Sequence, residues 1–233
     1  MGARDTVIRD LPRISANKLG EYITARPARR RSIVRDQKRP STFKVARYSD
    51  AYDAVTTSIV DDAFDDEDLM QRAIDLRASS SGSQWQDQDR ALSAEMIEDF
   101  VQLRPDLELD GFLRDRADRF AETKVLIEGV MVSVRPDVLL SAASGEPEPR
   151  RGAVKLSFVK TNPLGAEGGE YVATIVRHYL EGIHVEVDYG RVFVVDVPSG
   201  IVVRAPRAYR SRLNDVRAAC QEIRALWPQI RID

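Results

Sequence analysis

The sequence predicts an α/β chain, a mixed sheet flanked by helices with a helical extension before it. Three observations carry this expectation. Segments rich in β-branched residues recur after residue 124: KVLIEGVMVSVRPDVLL (124–140), GAVKLSFV (152–159), then IHVEVDY, RVFVVDV and IVVRAP. Helix-period stretches at 91–103, 170–182 and 207–227 alternate with those strands. The first 78 residues read as helical.

In chain order, Ser15 is the expected N-cap of a short helix carrying Leu19, Tyr22 and Ile23, which should stop before Pro27. Residues 26–40 read as a basic arm, extended or loop, ending at Pro40. Ser49 is expected to cap a second helix with Tyr52, Val55, Ile59 and Val60 on one stripe. A third, at about 65–77, carries Leu69, Met70, Ala73 and Ile74 behind an acidic first turn that suits the positive end of a helix dipole. The stretch SSSGSQWQDQDR (79–90) has the composition of a linker or mobile loop, in which Trp85 either docks on the body or stacks on a base. It divides a basic helical region, 1–78, from an α/β core, 91–233.

Within that core, 91–103 places Leu92, Met96, Ile97 and Phe100 inward and ends at Pro105. A short helix is expected at 109–120 through Leu109, Phe112, Leu113 and Phe120. Gly129 marks a turn or bulge in 124–140, and 144–152 is a loop. Gly190 and the PSG at 198–200 are expected to separate three late strands, with Glu186, Asp188 and Asp196 on a solvent face. Cys220 sits on the apolar stripe of the last helix and reads as a small buried residue.

Composition narrows the function classes. At 233 residues, 43% hydrophobic and 31% charged, the chain can bury a core and dissolve. No apolar run approaches the roughly 18 residues of a membrane span, and a charged beginning argues against secretion, so a cytoplasmic protein without a membrane partner is expected. A single cysteine excludes an intrachain disulfide and a cysteine-based zinc site, and two histidines, His178 and His184, are a poor basis for another. Walker, Rossmann and Gly-x-Ser-x-Gly signatures are missing.

Charge is uneven. Residues 1–48 hold 13 Lys and Arg against 4 Asp and Glu, a net +9 within an overall −2. Arg26, Arg29, Arg30, Arg31, Arg35, Lys38 and Arg39 make the densest part, and DNA is the partner such a strip attracts. A strip pairing with the protein's own acids is the alternative, with DDAFDDED (61–68) as candidate. That acidic run also has a purely structural reading, as the start of a helix. A protein partner or a second copy of the chain is a further possibility.

Two strand charges stand out. On 152–159, Val154, Leu156 and Phe158 share one face, whereas Ala153, Lys155 and Ser157 share the other. An ammonium there requires an anion, a polar site or an exposed edge. Asp137, followed by Val138, Leu139 and Leu140, is the other charge among hydrophobes. Such a pair is either a structural ion pair or half of a metal-dependent hydrolase, the Asp holding magnesium and the Lys stabilising phosphoryl charge.

At Pro136-Asp137 and Lys155 the chain resembles the PD-(D/E)XK nuclease superfamily, over about residues 91–200. The resemblance implies a restriction-endonuclease-like fold, a helix–strand–strand–strand–helix–strand core. It also implies a nuclease acting on DNA in restriction, recombination or defence, with Mg2+ or Mn2+ as cofactor. Asp137, Lys155 and Glu128 would be catalytic, and Asp137, Glu128 and Glu98 would be metal ligands, with Glu95 another candidate. The pattern is incomplete: Ala153 stands where the superfamily has an acid, and Ile175 stands where the RecB-like version has Gln, four before Tyr179. A nuclease fold that has lost its metal, serving nucleic-acid binding or assembly, is the competing expectation.

Overall fold

The computed structural model describes residues 8–40, 47–80, 82–117, 123–143, 149–183 and 186–231. These form a mixed α/β fold. In chain order come β1 (Arg13–Ser15), α1 (Ala16–Thr24), α2 (Pro27–Lys38), α3 (Ser49–Val60), α4 (Asp66–Ala78) and α5 (Gln84–Leu103). Then follow β2 (Phe112–Arg116), β3 (Lys124–Ile127), β4 (Val130–Ser133), β5 (Val138–Ala142) and β6 (Arg151–Ser157). The chain closes with α6 (Gly165–Ile183), β7 (Val187–Asp196), β8 (Ile201–Arg204) and α7 (Arg210–Leu226). Among the described residues, no helix is long and apolar enough to cross a membrane.

The main sheet has five strands in the order β2-β5-β6-β7-β8. β2, β5 and β6 pair antiparallel in turn; after the α6 crossover, β7 pairs parallel to β6, and β8 returns antiparallel. A smaller sheet, β1-β4-β3, is built from the β3–β4 hairpin and the parallel strand β1. The hairpin turns at Glu128 and Gly129, with φ of 48° and 81°. Positive φ at both central residues is the type I′ pattern that matches strand twist, so Gly129 is the expected turn.

Strand alternation sorts the main sheet's side chains into two cores. Val138, Leu140, Val154, Leu156, Phe193 and Val195 meet α3, α4 and α5 on one face. Ala153, Val192 and Val194 meet α1, α6, α7 and the small sheet on the other. Each core therefore draws on both sides of the 79–90 segment that divides the sequence.

Several expectations change. The basic arm is helical: Pro27 occupies the first turn of α2, where its missing N–H costs nothing and its fixed φ suits a helix. Ser49 is the first residue of α3, not its cap; Tyr48 is the N-cap, with φ 62°, and makes no side-chain cap bond. Residues 84–90 are not linker but the first turns of α5, and Trp85 is half-buried there. The expected helix at 109–120 is instead strand β2, because pairing with β5 outweighs a short helical period. Gly190 does not separate two strands; β7 runs through it, opposite a register shift between Arg151 and Ala153. There Gly152 approaches the next strand so closely that a Cβ would lie 2.3 Å from the Arg191 carbonyl oxygen. The loop residues 144–148, Phe120 and His184 lie outside the described residues.

Asp196 is the largest departure from the solvent-face expectation. It is fully buried; its Oδ2 accepts from the Gly165 N–H (2.9 Å) and the Ser199 hydroxyl (2.6 Å). β7 lies between β6 and β8 with both faces covered, so valine alternation does not expose the intervening positions. The carboxylate serves the first N–H of α6 at the positive end of that helix.

Candidate functional site: a cationic cleft above the Asp137–Lys155 pair

Asp137 immediately precedes β5, and its N–H donates to the Val154 carbonyl (2.9 Å), extending the β5–β6 ladder. This sets its carboxylate beside Lys155, on the α1 side of the sheet. Lys155 Nζ donates to Asp137 Oδ2 at 2.9 Å, and the Leu156 N–H donates to the same oxygen at 2.6 Å. The two side chains are only 11% and 17% exposed. The strand charges identified in the sequence therefore meet and satisfy one another. Asn17 Nδ2 and the Tyr52 hydroxyl both donate to the Leu156 carbonyl, at 3.1 and 3.4 Å. Burial, then the Asp137 charge, pushes the Tyr52 phenol well above its ordinary range, so it stays a neutral donor. Its ring meets Phe158 edge-on, with centroids 4.5 Å apart.

Above this pair opens a cleft of about 310 Å3, lined by Arg9, Arg13, Arg135, Asn17, Tyr52 and Lys155 among others. None of its described lining residues is acidic. Lys155 is neutralised by Asp137, so the cleft retains three guanidinium charges. Among the described residues, Arg13 and Arg135 have no carboxylate partner, and the Arg9 guanidinium donates to the Gln37 carbonyl (3.2 Å) while the Arg9 N–H donates to the Lys38 carbonyl (2.9 Å). Burial, then the charge of Arg13, lowers the Arg9 guanidinium from its usual value, as expected where like charges face one another. Arg135 has a φ of 42°, a conformation costly for a non-glycine residue and doubly so before Pro136. Ser15 caps α1, its hydroxyl accepting from the Lys18 N–H (3.3 Å), and turns the positive end of that helix toward the cleft.

The other acids expected here are elsewhere. Glu128 sits at the tip of the β3–β4 hairpin, where Gln221 of α7 donates to it at 3.1 Å, and all of β4 separates it from Ser133 at the cleft. Glu98 is held by Arg77 (2.6 Å) and Glu95 by Lys160 (2.6 Å), both from α5 on the opposite face of the sheet. Ala153, two before Lys155, is fully buried and offers no oxygen. Among the described residues, no group of three or more His, Cys, Asp or Glu could hold a metal ion. Magnesium seeks an octahedron of oxygens, usually with a carboxylate or two. Here one carboxylate is engaged by an ammonium that would confront any second cation. The residues present do not fit a divalent metal. Ile175 is core and fully buried, so the expected glutamine place is filled by packing.

The basic strip divides into two groups. Arg29 grips Glu21 (2.6 Å), Arg30 reaches the Tyr22, Ala25 and Ile23 carbonyls, and Lys38 ties down the Trp227 and Ile230 carbonyls. These three fasten α2 to α1 and to the end of α7. Arg26, Arg31, Arg35 and Arg39 are exposed. Arg31 and Arg35, one turn apart, face Arg231 across a groove of about 650 Å3. The acidic run 61–68 is not the strip's partner. Asp65 caps α4 in a capping box, Asp66 pairs with Arg104 (2.7 Å), and Asp62 pairs with Arg114.

Arg9, Arg13, Asn17, Tyr52 and Arg135 were not legible as site residues: Tyr52 reads as an apolar stripe position, Arg9 and Arg13 count only toward the basic charge of residues 1–48, and Arg135 merely adjoins Pro136-Asp137. No protein-family model matches the chain, and a search of curated proteins finds no match.

Proposed function

We propose that this chain is a nucleic-acid-binding module on a nuclease-like body, without metal-dependent hydrolysis. The observation that carries the reading is the cleft: three arginines without a carboxylate partner among the described residues, above an Asp137–Lys155 pair that satisfies itself. Phosphate backbones supply the missing negative charge. The exposed Arg31 and Arg35 offer a second set of contacts. The succession α5, β2, β5, β6, α6, β7 supports kinship with PD-(D/E)XK nucleases, since it repeats their helix–strand–strand–strand–helix–strand order with one hairpin inserted. The same succession favours the second reading, a DNA hydrolase, and an activity assay separates the two.

The test uses single- and double-stranded DNA and RNA, with Mg2+, Mn2+ or chelator. Binding without cleavage, unchanged by chelator, supports the module. Its salt dependence follows counterion release, and Arg31→Ala with Arg35→Ala should reduce the log–log slope by about 0.9 per lost phosphate contact. A flat salt response overturns the phosphate argument. Cleavage that needs Mg2+ or Mn2+ and disappears in Asp137→Ala replaces this reading with the hydrolase.

A further inference from the structure

The cleft's charge and size point to a narrower ligand than nucleic acid at large. We propose that it takes the phosphomonoester at the end of a nucleic-acid strand; this rests on the nucleic-acid reading above and deepens it.

The first argument is charge balance. An internal phosphodiester carries one negative charge, and one arginine suffices to match it. A terminal phosphomonoester carries about 1.5 to 2 negative charges at neutral pH and has three strong acceptor oxygens. Arg9, Arg13 and Arg135 all line one cleft, with no acid among its described lining residues. Guanidinium forks match phosphate oxygens in pairs, so the set is suited to a dianion with no neighbouring strand on one side.

The second argument is room. At about 310 Å3 the cleft lies at the low end of the ~300–1,000 Å3 range of small-molecule sites. That is space for a terminal residue and its phosphate, not for a duplex. The positive end of α1 adds partial charge from the backbone.

The third is an unmet acceptor. Asn17 lines the cleft, and its Oδ1 is buried without a hydrogen-bond partner among the described residues. A buried acceptor left unpaired costs about 1–3 kcal/mol. A donor arriving with the terminal nucleotide, a sugar hydroxyl or a base amino group, supplies the partner once the side chain turns on its bond to the Leu156 carbonyl. The backbone strain at Arg135, in the left-handed region beside the buried Pro136, is of the kind stored where a side chain is held for a ligand.

The experiment measures binding of the full chain to one oligonucleotide sequence in four forms: 5′-phosphorylated, 3′-phosphorylated, both ends hydroxyl, and circular. The 5′-mononucleotide and inorganic phosphate serve as separate probes. The expected result is that one phosphorylated end binds at least tenfold tighter than the hydroxyl-ended and circular forms. Arg13→Ala and Arg135→Gly should abolish this preference. Arg135→Gly removes the charge while accepting the φ of 42°, so it keeps the test open should Arg13→Ala fail to fold. Equal affinity for all four forms overturns the end-recognition proposal and leaves the nucleic-acid reading standing. A preference that survives both variants overturns the assignment to this cleft. If no oligonucleotide binds, whether or not mononucleotide or inorganic phosphate does, the nucleic-acid reading itself fails and carries the proposal with it.

Discussion

Asp137→Ala is the most informative single substitution. It removes the one anion that the described residues place beside Lys155 Nζ and the acceptor of the Leu156 N–H, leaving an ammonium whose side chain is 11% exposed and a strand donor unpaired. Stranding one partner of a buried pair costs about 3–5 kcal/mol. Lys155 borders an open cleft and can regain some water, which puts the loss at the low end, about 3 kcal/mol. For a chain of this size that lowers the melting temperature by roughly 6–12 °C. Asp137→Leu combined with Lys155→Met removes both charges and should cost less than the sum of the two single changes, with a coupling above about 1 kcal/mol. The assay is denaturant and thermal unfolding of wild type, Asp137→Ala, Asp137→Leu, Lys155→Met and the double change, with and without Mg2+. A metal at one hundred times its dissociation constant would add about 2.7 kcal/mol. The arrangement here predicts no Mg2+-dependent rise. The reasoning fails if Asp137→Ala costs under about 1 kcal/mol, if the double change is additive, or if Mg2+ raises the wild-type melting temperature by several degrees and Asp137→Ala does not respond.

Other outcomes follow from other parts of the fold. Burial, with a smaller contribution from Glu128, pushes the Cys220 thiol up to about 12, so thiol reagents at pH 8 should modify it only on unfolding; rapid native-state labelling would contradict its burial. Glu108 accepts hydrogen bonds from Arg204 and Arg191, which hold its carboxyl at about 2 against an ordinary value of 4.5. A depressed carboxyl stabilises the fold fully above its ordinary value and loses that contribution as pH falls through the folded one. The difference in melting temperature between wild type and Glu108→Gln should therefore be largest above pH 4.5 and shrink toward pH 2. Because the carboxylate is exposed, it should also shrink with salt; a difference constant over that pH range would refute the assignment. Gly152→Ala should destabilise by about 1–3 kcal/mol in denaturant unfolding, because its Cβ meets the Arg191 backbone rather than a side chain that can swing away; a neutral result would mean the β6–β7 bulge is freer than its geometry.

The sequence by itself determined what local period and local chemistry can carry. The β-branched runs became strands β3 to β8, the Ser15 cap starts α1, and the acidic run begins α4, because each rests on neighbours within a few residues. The likelihood that Asp137 and Lys155 meet was legible too: a charge inside an apolar strand must find a partner, and the adjacent strand is the nearest source. Where two local signals competed, tertiary structure chose. Residues 112–116 have helical spacing, yet β5 offered an open edge for pairing. The two prolines around 26–40 read as loop boundaries, yet Pro27 starts a helix that buries only Ile33 and Val34. Asp196 looked solvent-facing because alternation reports exposure only when one side of a sheet is open. The cleft lay furthest from reach. Arg9, Arg13, Arg135 and Lys155 come in turn from the segment before β1, from β1, from the joint between two sheets and from a central strand. No spacing rule links residues so far apart along the chain; the folding of β1 against β4 brings their charges together, and the positions taken by Glu98 and Glu128 leave them away from the cleft, so that no second carboxylate joins them among the described residues.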